Sequence, residues 1–274
     1  MFSPFVGSAP ENVERMLKLA KLRDGDVVAD LGSGDGRIVI GAAKLNPTVR
    51  GWGVDIDAKL VKESNESAES EGVAGRVRFF RRNVFDADLR NVDVIFMWLF
   101  PELQRLLRTK ILAQAKPGTR VVTNLWDMGS WPPDEQDEAS TTVRLWVVPA
   151  RIQGNWNWSL ALHGKKQDYA AVLEQHFQNG EGVVRVASRR RMLHDVKVKG
   201  EELSFSLLMD LDGVGYVRHE FKGIVRGNRV EGKARLLMPQ KAQPDEYETV
   251  EMPWRAVRTP KSAYFAKTGI PPLP

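Results

Sequence analysis

The chain has 274 residues, 42% hydrophobic and 27% charged, with no cysteine and a formal net charge of +5. Disulfides, a cysteine nucleophile and thiolate zinc sites are excluded; the four histidines, His163, His176, His194 and His219, have no metal-ligand spacing, so no metal is expected. No apolar run nears the ~20 residues that span a bilayer, and Met1-Phe2-Ser3-Pro4 lacks the start of a signal peptide, so a cytoplasmic location is expected unless a targeting segment has been removed.

Ser8, with Glu11 three residues on, forms a capping box ahead of an apolar stripe, Val13, Met16, Leu17 and Ala20, at helical spacing. Residues 27–30 read as a short buried strand, followed by a glycine loop and a helix from about 37 to 45. A strand over 51–55 and a polar-faced helix over 58–71 come next. Strands over 77–80 and 92–96, a helix over 101–115 stopped by Lys116-Pro117-Gly118, and a fifth strand over 119–125 complete the series. Alternating strands and helices imply a parallel sheet covered on both faces, an α/β fold of Rossmann-like type.

The pattern changes near Pro149. Short alternating runs such as 203–208, 216–221 and 229–236 lie between turn signals at 179–182, 199–201, 212–213 and 226–228, with one helix-compatible stretch around 168–177. This predicts an antiparallel β domain, preferably a small closed barrel, since closure removes exposed edges; a sandwich is the alternative. Gly154-Asn155-Trp156 resembles the start of small ligand-binding barrels, or marks a tryptophan plugging a barrel end. Ser188-Arg189-Arg190-Arg191 reads as a solvated strand end; a nucleic-acid patch would need more basic residues on the same face. The domains are thus 1–148, 149–262 and a tail over 263–274.

The loop Asp30-Leu31-Gly32-Ser33-Gly34-Asp35-Gly36 follows a strand and opens a helix, where glycines let the chain turn and a ligand approach the backbone. Its spacing is not the Gly-x-Gly-x-x-Gly of dinucleotide enzymes. The flanking acids Asp30 and Asp35 would repel a pyrophosphate but suit S-adenosylmethionine, which carries a sulfonium and an ammonium. Asp30 is placed to meet the ammonium. Asp55, about 20 residues past Gly36, stands where a carboxylate accepts both ribose hydroxyls, with Ile56 beside it. Asn83 and Val84, after the third strand, are placed to meet the adenine.

Here the chain resembles a family: the class I protein lysine methyltransferases typified by those acting on ATP synthase c subunit and adenine nucleotide translocase, with prokaryotic relatives. The resemblance spans about 3–148 and rests on Pro4-Phe5-Val6-Gly7-Ser8, on 30–38, on Trp98-Leu99-Phe100-Pro101-Glu102-Leu103 and on 116–122. It implies that Phe5 and Ser8 fold over the methionine end of the cofactor, and that Pro101 and Glu102 open the methyl-transfer pocket. It also implies a protein partner with an accessible lysine. Trp98, Phe100 and Trp126 are candidates for an aromatic wall and Glu102 for orienting the amine. Three residues depart from the pattern: Phe5 replaces a frequent tyrosine, Asn83 a frequent acid, and Asn124 an expected histidine. The alternatives are a methyltransferase for a small molecule or RNA, and a non-enzymatic binding protein working through its β domain. No Asn/Asp-Pro-Pro-Tyr/Phe motif, used for planar base nitrogens, follows the fourth strand.

Overall fold

The computed structural model describes Gly7 and residues 9–260. Phe5, Ser8 and the tail from 263, all assigned above, lie outside these residues. The chain divides into two compact units, Met1–Val148 and Pro149–Pro274.

In the first unit, helix α1 (Pro10–Ala20) has Ala9 at its N-cap and no side-chain cap bond. Proline in the first turn replaces the expected capping box, because its missing N–H would be unpaired there anyway. The predicted stripe of Val13, Met16, Leu17 and Ala20 is buried. The sheet runs β3 (Val77–Arg81), β2 (Arg50–Asp55), β1 (Val27–Leu31), β4 (Val94–Met97), β5 (Arg120–Asn124), all parallel. Helices α2 (Arg37–Leu45), α3 (Ala58–Ser70) and α4 (Pro101–Gln114) make the crossovers. Strands β4 and β5 are buried throughout, as expected when helices cover both faces. The unanticipated β7 (Val143–Val147) lies antiparallel to β5, and the short β6 (Glu135–Gln136) pairs with it. Arg120, 6% exposed, fastens α1 to the sheet. It meets Asp26 at 2.6 Å and donates to the carbonyls of Ala20 and Lys21 at 2.8 and 2.5 Å.

The second unit is a closed barrel of eight strands, not a sandwich. In order they are β8 (Gly154–Leu162), β9 (Lys165–His176), β10 (Asn179–Val186), β12 (His194–Lys199), β13 (Glu202–Leu211), β14 (Gly215–Arg226), β15 (Arg229–Pro239) and β16 (Tyr247–Thr259), which returns to β8. A short β11 (Arg189–Met192) carries the basic run and pairs with β10. The helix-compatible stretch at 168–177 is strand β9. The turn assigned to 179–182 is also strand; the hairpin turns at Phe177, φ +56°, and Gln178. That hairpin gathers exposed Glu174, His176 and Glu181 with ligand atoms within 4.8 Å of one another, a grouping that linear histidine spacing does not show.

Alternate residues fill the barrel. Trp158, Tyr169, Phe205, Phe221 and Trp254 form one aromatic cluster, with Trp158 and Tyr169 stacked at 5.2 Å. Tyr169 Oη lies 2.8 Å from His219 Nε2, and burial pushes the His219 pKa down to about 4, keeping the ring neutral. Trp156 is 2% exposed, with the Arg258 guanidinium 5.2 Å over its ring. Arg258 also donates to the carbonyls of Arg151, Gln153 and Gly227 and to Asn228 Oδ1, at 3.0–3.1 Å. Arg258 therefore ties the last strand to the chain just before the first. Arg258→Ala is expected to lower the stability of the barrel by about 2–3 kcal/mol, read from urea unfolding followed by tryptophan fluorescence. A loss under about 0.5 kcal/mol, the scale of an ordinary surface change, would show that Arg258 does not carry the closure.

Candidate functional site

The order of the first sheet puts β1 between β2 and β4, so the chain builds outward from β1 to β2 and β3 on one side and then crosses to β4 on the other. At such a switch point the loops beyond the carboxyl ends of the strands part and leave a crevice. Every described residue assigned above to the cofactor or the pocket lies at the carboxyl ends of β1, β2 and β5 or in the segments after β1 to β5.

The loop after β1 is pinned from below. Gly32 and Ser33 donate to the Val54 carbonyl at 2.9 and 3.0 Å, and Gly34 donates to Asp55 Oδ2 at 2.9 Å. Gly32 and Gly36 have φ of +89° and +83°, and a Cβ at Gly32 would stand 2.5 Å from Leu99 Cδ2. The glycines are therefore required both for backbone conformation and for space. Gly7 passes beside Arg37, whose Nη2 would lie 3.1 Å from a Cβ there, which brings that part of the N-terminal segment near the loop.

Asp30, next to last in β1, is 2% exposed, and its Oδ1 has no hydrogen-bond partner. Burial, then Asp55 and Asp35, raise its pKa from 3.8 to about 8. A buried carboxylate without a cation is costly, so this position suits a positively charged donor and otherwise keeps its proton. Asp35 behaves differently from the expectation of a ligand-facing acid. Its carboxylate is gripped by Arg37 Nε at 2.9 Å; burial opposes its charge, but the Arg37 hydrogen bonds hold its pKa below the ordinary value. Asp55 accepts from Gly34 through Oδ2 and from Asp57 through Oδ1, at 2.9 and 3.0 Å, and each oxygen keeps a second lone pair. Asn83 Oδ1 caps the turn at 84–86 by accepting from the Phe85 amide at 3.0 Å, while exposed Ile56 and Phe85 flank this side.

Across the crevice, Trp98 is half-buried and Phe100 and Trp126 are each 38% exposed. Pro101 and exposed Glu102 begin α4. Asn124 is 2% exposed and its Oδ1 accepts from Thr142 Oγ1 at 3.2 Å. Leu125 has φ +69°, a strained conformation for a side chain with a Cβ, held by Trp126 N–H to Asn124 O at 2.9 Å and by Thr123 Oγ1 to Trp126 O at 2.7 Å. Sequence reasoning missed Gln104, which is fully buried and donates from Nε2 to the Leu99 carbonyl at 2.9 Å.

A glycine cradle, an unpartnered buried carboxylate and a second acid on the next strand together fit a cationic nucleoside. The comparisons agree. The ANTKMT methyltransferase domain family matches residues 30–135. A protein-lysine N-methyltransferase of Saccharolobus islandicus (strain REY15A) is 35% identical over 150 residues, 53% of this chain and 93% of that protein. The adenine nucleotide translocase lysine N-methyltransferase of Mus musculus is 33% identical over 55% of this chain and 65% of its own length. A crystal structure of an RNA methyltransferase from Salinibacter ruber with S-adenosyl-L-homocysteine is 42% identical, covers 54% of this chain and 96% of that one, and superposes with a TM-score of 0.52. The chain is thus an S-adenosylmethionine-dependent methyltransferase, and it belongs to the ANTKMT-type lysine methyltransferase family.

Proposed function

We propose that the enzyme N-methylates a lysine side chain of a protein. The observation that carries this is the 35% identity with a protein-lysine N-methyltransferase matched over 93% of its length. In this reading Asp30 holds the cofactor ammonium, Asp55 the ribose hydroxyls, and Gly32, Ser33, Gly34 and Gly36 shape the cradle. Ser8 and Phe5, outside the described residues, are assigned to the methionine end by the family resemblance alone. Asp35 serves indirectly, by fixing Arg37. Asn83 Oδ1 caps a turn with one lone pair and keeps the second for the exocyclic amine of the adenine, which Val84 and Ile56 flank.

The cofactor supplies an activated methyl group, and the protein positions and desolvates the acceptor. A lysine must first lose its proton, from an ordinary pKa of ~10.4. Trp98, Phe100 and Trp126 form an apolar wall that favours the neutral amine, and Glu102 or a main-chain carbonyl aims its lone pair. Pro101 fixes the start of α4 beside that wall, and Asn124 anchors the opposite side.

Asp55→Ala is expected to weaken cofactor binding about 10- to 100-fold by calorimetry, with the fold intact, because hydrogen bonds to a charged acceptor are worth about 1.5–3 kcal/mol each. Unchanged affinity would remove Asp55 from the ribose.

The second reading is RNA, favoured by the 42% identity with the Salinibacter ruber enzyme and by the location of the basic excess, which lies wholly in residues 149–274. Incubation with tritiated cofactor and lysate separates the two. Label that survives ribonuclease and appears as methyl-lysine in digested protein supports lysine; label confined to RNA or to small molecules overturns it.

A further inference from the structure

We infer that Gln104 is a positioning residue for methyl transfer, one that fixes the segment between β4 and α4 against the cofactor loop. The inference rests on the reading above that this segment borders the acceptor pocket. Gln104 sits in the first turn of α4, between half-buried Leu103 and exposed Arg105, with its own side chain fully buried. Its Nε2 donates to the Leu99 carbonyl at 2.9 Å, and its backbone N–H donates to the Phe100 carbonyl at 3.1 Å. One residue therefore holds two successive carbonyls of a stretch that has no strand or helix of its own at 98–100. Leu99 transmits that hold. Its Cδ2 occupies the space a Cβ on Gly32 would need, 2.5 Å away, so the segment is pressed on the first glycine of the cradle.

The amide has a cost that packing does not explain. Its Oε1 is buried without a partner. The amide orientation is fixed, because only the nitrogen can face the Leu99 carbonyl. A methionine would fill the same volume and remove the orphaned oxygen, but it would leave the buried Leu99 carbonyl without its donor. A buried amide at this place is thus explained by its hold on the Leu99 carbonyl. Phe100 and Pro101 border the proposed acceptor pocket and Gly32 the methyl donor, so the tether sets the approach of acceptor to methyl group. Misplacement by about 1 Å in such a geometry costs up to about 100-fold in rate.

Gln104→Met tests this. The expected result is a chain that still unfolds cooperatively, a cofactor Kd within about threefold, and kcat lower by about 10- to 100-fold. Hydrogen exchange at the amides of 97–103, which needs no acceptor, should speed up in this segment alone. Unchanged kcat overturns the inference whatever the exchange shows. In a folded variant, loss of turnover matched by loss of cofactor binding also overturns it. Gln104→Glu covers a methionine variant that does not fold. A protonated glutamic acid can donate to Leu99 and an ionised one cannot, so its kcat relative to the parent should fall as pH rises; a flat ratio overturns the inference. All ratios are taken on whichever acceptor the parent labels, so failure of the lysine reading leaves this test intact.

Discussion

The Asp30→Asn variant is expected to bind S-adenosylmethionine about 10- to 100-fold more weakly than the parent, while its cofactor-free form melts higher near pH 8. Both effects come from the unpartnered Oδ1 at the end of β1. The Asp30 carboxyl is raised by burial, then by Asp55 and Asp35, to about 8. Between its ordinary 3.8 and about 8, the folded cofactor-free protein keeps a proton that the unfolded chain has released. By linkage its stability is greatest at the acid end of that window, falls as pH rises, and levels off above about 8. A difference of one bound proton changes stability by about 1.36 kcal/mol for each step of one in pH, a slope that thermal melts between pH 5 and 8 can measure. Asparagine removes it. A cofactor ammonium favours the ionised carboxylate, so binding near pH 7 should release a proton. Calorimetry in buffers of different ionisation enthalpy reads that release directly. Affinity should also rise from pH 6 to 7.5 in the parent and stay flat in the variant. A parent with no proton release and no pH slope would place the ammonium elsewhere.

The largest loss of stability is expected for Arg120→Ala. Arg120 and Asp26 are 6% exposed each, and the guanidinium also takes the carbonyls of Ala20 and Lys21 at the end of α1. Removing the cation leaves a buried carboxylate and two bared carbonyls. Breaking such a pair costs about 3–5 kcal/mol, which lowers the melting temperature of the first unit by about 10 °C or more. Asp26→Leu combined with Arg120→Met should recover much of that loss, because no charge then remains to be desolvated. A double variant as weak as Arg120→Ala would show that the carbonyl contacts, not the charge pair, hold α1.

The first unit was legible because each of its signals is local: alternating period, a glycine loop between strand and helix, and Pro101 or Lys116-Pro117-Gly118 at helix ends. What escaped was set by partners distant in sequence or by side-chain pairing. Residues 165–176 contain Ala, Leu, Glu and Gln, good helix formers, yet β8 and β10 supply ladders on both sides and override propensity. Gly180 and Gly182 mimic a turn, but they are small because neighbours press on them: a Cβ on Gly182 would meet the Val172 carbonyl at 2.5 Å. The true turn uses Phe177, which carries no turn signal. At the site, the acids were read one by one, so the Arg37 grip on Asp35 was missed although the two are two residues apart. Gln104 resembled any helix-surface glutamine; only the burial of its face marks it.

The barrel is a meander in which neighbours in sequence are neighbours in the ring, apart from the pairing of β16 with β8, where Thr259 meets Asn155. During synthesis the sheet of the first unit has all its strands once Val147 has emerged. The ring, by contrast, keeps two bare edges until Thr259 is free of the ribosome, and closing so distant a pair is slow. Its tryptophan-rich core is thus sealed only when β16 is available, and a chain cut short before β16 would be an open sheet with sticky edges.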